Sequence, residues 1–364
     1  MKKILISMAV ACASTCGLSA GEYLVTMSVP SDLEGAMAYI VNYDTSENVD
    51  SVLVEDGVAE FRGNIDTPVA ARIIVDGNRM SQFILEPGNI TINPETRSVE
   101  GGKLNGEFLA LQNQIGELAD QLRATDSETE QEAIYARYEA LTDSVMLANA
   151  DNPVGYLVFM DKAYDFEPEQ LEIFVEAHPA FKNYARVNKL IEFNKRKMAT
   201  SEGSKFVDFE IEYDGVKHKL SDVVGKGDYV LVDFWASWCG PCIRQTAVLK
   251  DLYRDYKDEG LKILGVAVWD EPQNTLRAIE QHELPWESWL NGQNVPTDAY
   301  GISGIPCIIL FGPDGTILSR DKQSEELKAD VAKAMAEKKA MQERIRKVEN
   351  VKNAVDTLKQ KKTK

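Results

Sequence analysis

The sequence predicts an antiparallel β domain, an all-helical region, an α/β domain with a mixed central sheet, and one long closing helix. Three observations predict this. Residues 22–100 are short β-branched and aromatic runs broken by Asp-Gly, Pro-Gly and Asn-rich turns. Residues 105–200 carry apolar positions at helical spacing, and after residue 204 strands and helices alternate.

Residues 1–20 read as a secretory signal peptide: Lys2 and Lys3, an apolar run from Ile4 to Ala13, then small residues to Ala20. The run is too short to span a bilayer as a permanent helix. Cleavage after Ala20 is the favoured processing, and lipidation at Cys12 or Cys16 is the alternative. Either way the chain is expected to be exported, to a bacterial periplasm or outer surface.

In residues 21–104, Glu55-Asp56-Gly57-Val58 and Val75-Asp76-Gly77-Asn78 are hairpin signals between apolar runs, predicting a small antiparallel sandwich or sheet. In residues 105–200, Phe108, Leu111, Ile115, Leu118 and Leu122 form one helical stripe. Thr125-Asp126-Ser127 can cap a second helix running to about Asn149, and further helices follow from Val154, Pro168 and Asn183. Residues 199–204 read as a linker.

The α/β domain spans 201–322. Its expected strands are Lys205–Glu212, Val216–Leu220, Tyr229–Trp235, Leu261–Trp269, Ile305–Phe311 and Thr316–Arg320. Tyr229–Trp235 is almost continuously apolar, as a central strand must be. Helices are expected from the cysteine pair to about Tyr256 and over Gln273–Glu283. Residues 323–364 predict a long helix, with Leu327, Val331, Ala334, Met341, Ile345, Val348, Val355 and Leu358 at 3/4 spacing. That stripe either packs on its own chain or joins two copies as a homodimer.

A net charge of −18 excludes nucleic acid as the main partner, because no basic field would draw phosphates. His178, His218 and His282 are scattered without ligand-spaced neighbours, so neither a metal nor another cofactor is expected. Outside the leader only Cys239, Cys242 and Cys307 remain, which argues against a structural disulfide framework.

Cys239 and Cys242 flank Gly240-Pro241 where a buried strand gives way to a helix. There Cys239 faces unpaired backbone N–H groups and the positive end of the helix dipole, which favour thiolate, the nucleophilic form. Cys242 lies one turn on, close enough to resolve a mixed disulfide, and Pro241 occupies the first turn, where its missing N–H costs nothing. Asp233 interrupts the apolar strand, where a carboxylate is costly without a role or partner. We read it as the proton acceptor for Cys242; the alternative is a hydrogen-bonded Asp at the strand's end.

These residues carry a resemblance. VDFWASWCGPC (Val232–Cys242) resembles the thioredoxin active-site segment, and YGISGIPCIILFGPDG (Tyr300–Gly315) is similar to the segment holding that fold's cis-proline. Together with KLSDVVGKGDYVL they resemble the periplasmic TlpA/ResA-type reductases over about Lys205 to Arg320. Residues 22–200 are similar to the strand-plus-helix region of unknown function (DUF4369-like) that precedes such domains. The resemblance implies a thioredoxin fold with Cys239 as nucleophile, Cys242 as resolving thiol and Asp233 as buried acid. It implies a cis Ile305-Pro306 bond whose backbone aligns an incoming chain, and a substrate surface of Trp238, Gly240, Pro241 and Ile305.

There are three departures. Cys307 stands where a Thr is common, and we read it as a small buried residue rather than a third redox sulfur. Ala247 replaces a helix-kinking Pro, so the helix should run straight. Gln245 and Thr246 stand where the TlpA/ResA group often has a Glu.

The implied function is a disulfide reductase acting on exported protein thiols and disulfides, supplied by a membrane-linked electron donor. Two alternatives remain: a scaffold whose flanking regions recruit a partner, and a peroxidase of the peroxiredoxin type. The peroxidase is disfavoured because Ala236-Ser237-Trp238 lacks the Thr and Pro that such a site needs. Trp269, Trp286 and Trp289 are read as packing aromatics rather than a groove.

Overall fold

A computed structural model describes residues 21–96 and 98–362; the expected leader, with Cys12, Cys16 and Ala20, lies outside these residues. The chain forms two compact units that divide between Ile191 and Glu192.

The first unit opens with β1 (Glu22–Ser28), β2 (Met37–Asn42), β3 (Asn48–Leu53), β4 (Val58–Asn64), β5 (Val69–Val75), β6 (Asn78–Leu85), β7 (Gly88–Ile92) and β8 (Val99–Glu100). They make two four-stranded sheets, in the orders β4-β1-β7-β8 and β3-β2-β5-β6. Alternation sends Val25, Met27, Ile40, Phe61, Ile73 and Phe83 into one shared core. The Asp76-Gly77 turn is the hairpin expected: Val75 pairs with Asn78, and φ values of 48° and 75° give the two-residue turn its twist. Asp56-Gly57 has similar geometry and also closes a two-residue hairpin turn, Glu55 and Val58 exchanging both backbone hydrogen bonds at 3.0 Å, but β3 and β4 beyond it diverge into different sheets. One pair departs from the antiparallel pattern, β1 running parallel to β7.

Helices follow: α1 (Lys103–Arg123), α2 (Glu128–Ala148), α3 (Pro153–Lys162), α4 (Pro168–Ala177) and α5 (Ala185–Ala199). Their starts are explicit. The Glu86 carboxylate accepts the N–H groups of Lys103, Leu104 and Asn105 at 3.1, 3.2 and 3.0 Å, and Ser127 and Asn152 cap α2 and α3. Asp44 does the same for α5, accepting from the N–H groups of Ala185 and Arg186 and from the Tyr156 hydroxyl.

The second unit holds β9 (Glu210–Tyr213), β10 (Val216–Lys219), β11 (Tyr229–Trp235), α6 (Gly240–Tyr256), β12 (Leu261–Ala267), α7 (Pro272–Gln281), β13 (Glu287–Trp289), α8 (Val295–Tyr300), β14 (Cys307–Phe311), β15 (Ile317–Arg320) and α9 (Ser324–Lys362). Five strands form one sheet in the order β13-β12-β11-β14-β15, parallel on the β12–β13 side of β11 and antiparallel on the β14–β15 side. This is the mixed sheet of the thioredoxin fold. One face packs under α6 and the start of α9; the other packs under α8 and the β9–β10 hairpin.

The strand expected over Lys205–Glu212 shrinks to Glu210–Tyr213. Residues before it lie along the sheet's last turn instead, with the Phe206 N–H on the Gly315 carbonyl and Lys205 bridged to Thr316. Nearby, the buried Arg320 guanidinium donates to the Thr200 carbonyl at 2.9 Å and to the Tyr300 carbonyl at 2.7 Å, and it also reaches the Thr200 hydroxyl. The segment entering this domain and the strand leaving it are thereby stitched together.

The long helix is of two kinds. Leu327, Val331, Ala334 and Met335 are buried against the sheet and α6, whereas Met341, Ile345 and Val348 are 57, 51 and 67% exposed. Ending the chain after Lys322 should therefore cost about 5 kcal/mol or more of stability, at ~1.5–3 kcal/mol per large apolar side chain uncovered. Ending it after Lys339 should leave the thermal transition of this unit in place, as calorimetry of the two shortened chains can check.

Candidate active site

The site is built where β11 ends. The apolar strand delivers Trp235 and Ala236 to the core, and the chain then turns into α6 with Cys239 as its N-cap. Cys239 and Cys242 are joined by a disulfide. The backbone N–H of Cys242 points at the Cys239 sulfur, 3.2 Å away, which places the sulfur among the unpaired donors of the helix start. Gly240 and Pro241 fill the first helical positions, and α6 runs unbroken past Ala247. Cys242 is fully buried and Cys239 nearly so.

The Ile305-Pro306 peptide bond is cis. It brings the Ile305 carbonyl oxygen within 3.7 Å of the Cys239 sulfur, so backbone atoms of this turn flank the sulfur that an incoming chain would meet. Trp238 stands out beside it, 62% exposed, its indole N–H donating to the Trp269 carbonyl at 2.9 Å. The structure thus gathers Trp238, Cys239, Gly240, Pro241, Cys242, Ile305 and Pro306 around the end of one sheet.

Asp233 lies below them in the central strand. It pairs with Gly265 of β12 and Ile308 of β14, on the face that carries Cys242. It is 2% exposed, and its Oδ1 has no hydrogen-bond partner among the described residues. Loss of solvation pushes its carboxyl up from the ordinary 3.8 to about 7. A carboxyl poised near neutrality can both take and release a proton.

Cys307 is placed elsewhere. It pairs with Phe234 and points to the opposite face of the sheet, donating its S–H to Asp321 at 3.0 Å. Burial, and then the neighbouring Asp321 carboxylate, push this thiol well above its ordinary range, the reverse of what a reactive sulfur needs. Trp286 and Trp289 pack inside, while Trp269 lies beside the cysteine loop, its indole N–H held by Asn294.

Asp270 escaped the sequence reading. Its buried carboxylate accepts from the Ser237 N–H at 2.8 Å, the Ser237 hydroxyl at 3.0 Å and the Thr275 hydroxyl at 2.8 Å, fixing the loop before Cys239. The available signal was an Asp directly after a buried strand and before Glu271-Pro272. Among the described residues, no group of three or more His, Cys, Asp or Glu could hold a metal ion.

Residues 203–320 match the AhpC/TSA family, and residues 23–108 match DUF4369, a domain of unknown function. The chain is 32% identical over 126 residues to the thiol-disulfide oxidoreductase ResA of Geobacillus thermodenitrificans, covering 34% of this chain and 71% of that protein. The Bacillus subtilis ResA is 29% identical over 123 residues, covering 34% and 68%. Among solved structures, the thioredoxin domain of a thiol-disulfide oxidoreductase from Bacteroides vulgatus is 31% identical, covering 36% of this chain and 96% of that one, with a TM-score of 0.33.

The raised Asp233 carboxyl has a consequence for stability. The folded protein keeps this proton between about pH 4 and about pH 7, where the unfolded chain has released it, so stability falls as pH rises through that window. Oxidised D233N lacks the penalty. Its melting temperature should exceed wild type above pH 7, by an amount corresponding to a few kcal/mol, about 1.4 per pK unit, and the gap should close toward pH 4.

Proposed function

Because the chain belongs to the thiol-disulfide oxidoreductases related to ResA, with an AhpC/TSA thioredoxin-like domain behind a DUF4369 domain, we propose that it is a disulfide reductase for exported proteins. The observation that carries this reading is the stacking of three parts on one sheet end: a sulfur at a helix N-cap, a second sulfur one turn inside, and an unpartnered carboxyl beneath.

In the reduced form, the Cys239 thiolate attacks a substrate disulfide, forming a mixed disulfide and expelling one substrate thiolate. Cys242 then passes its proton to Asp233 and attacks the Cys239 sulfur. The Cys239–Cys242 bond forms, and the second substrate thiolate leaves. Ile305 and Pro306 hold the substrate backbone during both attacks, while Trp238 with the neighbouring Trp269 offers an apolar ledge beside the target cysteine.

The Gly-Pro pair between the cysteines supports the reducing direction, since thioredoxin, a reductant, has a potential of about −270 mV and the oxidant DsbA about −120 mV. The leader-like first twenty residues support work in a periplasm, where a membrane-linked donor would return two electrons to the disulfide. The exposed Met341, Ile345 and Val348 support self-association of two copies through the outer part of α9.

Replacing the resolving thiol, C242S, should trap substrates on Cys239 as mixed disulfides in the native host, and C239S should trap none. An absence of adducts in both would remove the reductase reading, as would a Cys239–Cys242 potential near that of DsbA. For the association, light scattering should give twice the chain mass for the full chain and a monomer for the chain ended after Lys339.

A further inference from the structure

The sheet β3-β2-β5-β6 turns one face into the core of the β domain and the other face away from it. Strand pairing and the pleat assign that second face row by row. Nearest the helices, Tyr43 and the Ala70–Ile84 pair pack into the helical core. The next row runs Val41, Arg72, Gln82, and the one after it Ser51, Tyr39, Ile74, Arg79. The Leu53–Met37 pair closes the face. Beyond the first row, Val41, Tyr39 and Ile74 belong to neither apolar core of this unit, and Met37 and Leu53 are 37 and 51% exposed.

The charge on these rows is of one sign. They hold Arg72 and Arg79 and no carboxylate, in a chain with 58 Asp and Glu against 40 Lys and Arg. Among the described residues neither arginine makes a side-chain hydrogen bond or an ion pair. Arg72 is half-buried, its guanidinium over the Tyr43 ring at 4.1 Å from the centre, and Arg186 of α5 lies over the same ring at 4.5 Å. Arg186 spends its N–H groups on the Tyr43 carbonyl, at 2.9 and 2.6 Å, whereas those of Arg72 stay unspent. Burial pulls the Arg72 guanidinium below its ordinary range; Arg79 and Arg186 add to this, and Tyr43 and Tyr156 oppose it.

Such a face decides what can cover it. An apolar partner laid on Tyr39 and Ile74 would strip more water from a guanidinium already half-buried, which is costly without a counter-charge. A partner that brings carboxylates instead gains bidentate, charge-assisted hydrogen bonds from the fork of each arginine. Successive rows lie about 7 Å apart along the strands, the spacing of alternate residues in an extended chain.

We propose that this face docks an extended acidic polypeptide segment, with its carboxylates on Arg72 and Arg79 and its apolar side chains on Tyr39 and Ile74. Because alternate residues of the segment face the sheet, the pattern recognised is an acidic and an apolar residue two positions apart. An anionic bilayer fits less well. A flat charged surface meets the field of the whole chain, which carries a net −18, whereas a segment meets this face alone.

The test is binding of the labelled peptide (Glu-Ser-Leu-Ser)3 to the full chain, followed by fluorescence anisotropy. Binding should weaken as salt rises from about 0.05 to about 0.5 M, and (Lys-Ser-Leu-Ser)3 should not bind. Exchanging each Leu of the peptide for Ser should weaken binding several-fold. The double variant R72Q with R79Q should raise Kd by about tenfold or more. R62Q with R123Q, which removes the same charge from other elements, should match wild type. R79Q alone, at an exposed position, should weaken binding several-fold and serves if the double variant fails to fold. Failure of the acidic peptide to bind, or equal binding by wild type, R79Q and the double variant, overturns the proposal. Arginine-dependent binding of phosphatidylglycerol vesicles without binding of the peptide overturns it too, and makes this a membrane face.

Discussion

A carboxyl in the central strand of a sheet is buried away from solvent, and among the described residues no cation offsets that loss. Asp233 is held this way, and much of the second unit follows from the need to bury it. Continuous apolar neighbours in β11, an apolar floor from β14, and α6 laid across the top are what raise the carboxyl to about 7. The same layering puts Cys242 over the carboxyl and Cys239 at the rim, where helix dipole and backbone N–H groups take over. The two sulfurs sit in different electrostatic settings although three residues apart. Cys239 lies among the backbone donors of the helix start, whereas Cys242 is buried in the apolar core that also holds the face of Asp233.

How much of this was legible in the sequence depended on whether the cause was local. Tyr229–Trp235 was readable to the residue, because a run buried on both faces has no polar alternation to blur its ends. The helix start at Gly240-Pro241 was equally plain, since Pro fits only the first turn. What could not be read depended on pairing at long range. Asp56-Gly57 signals a tight turn, but the turn does not specify whether its two strands share a sheet, and here they do not. The parallel partnership of β1 with β7 has no local signature at all. Lys205–Asp208 has the composition of a strand and yet spends its backbone on the turn at Gly315.

The site shows the same division. Cysteine spacing, Asp233 and the proline announce themselves by type and order. Asp270 does not, because its work is done by three hydrogen bonds to residues 33 positions back and 5 ahead. Cys307 illustrates the converse. One position along a strand separates the two faces of a sheet, and the pleat sends this sulfur away from the pair that the sequence placed it beside.

The stitch made by Arg320 has a mechanical consequence. It ties the backbone at Thr200 to that at Tyr300, close to where the last strand ends and α9 departs. The segment that enters the domain and the strand that leads into α9 therefore share one anchor, a buried guanidinium gripping carbonyl groups.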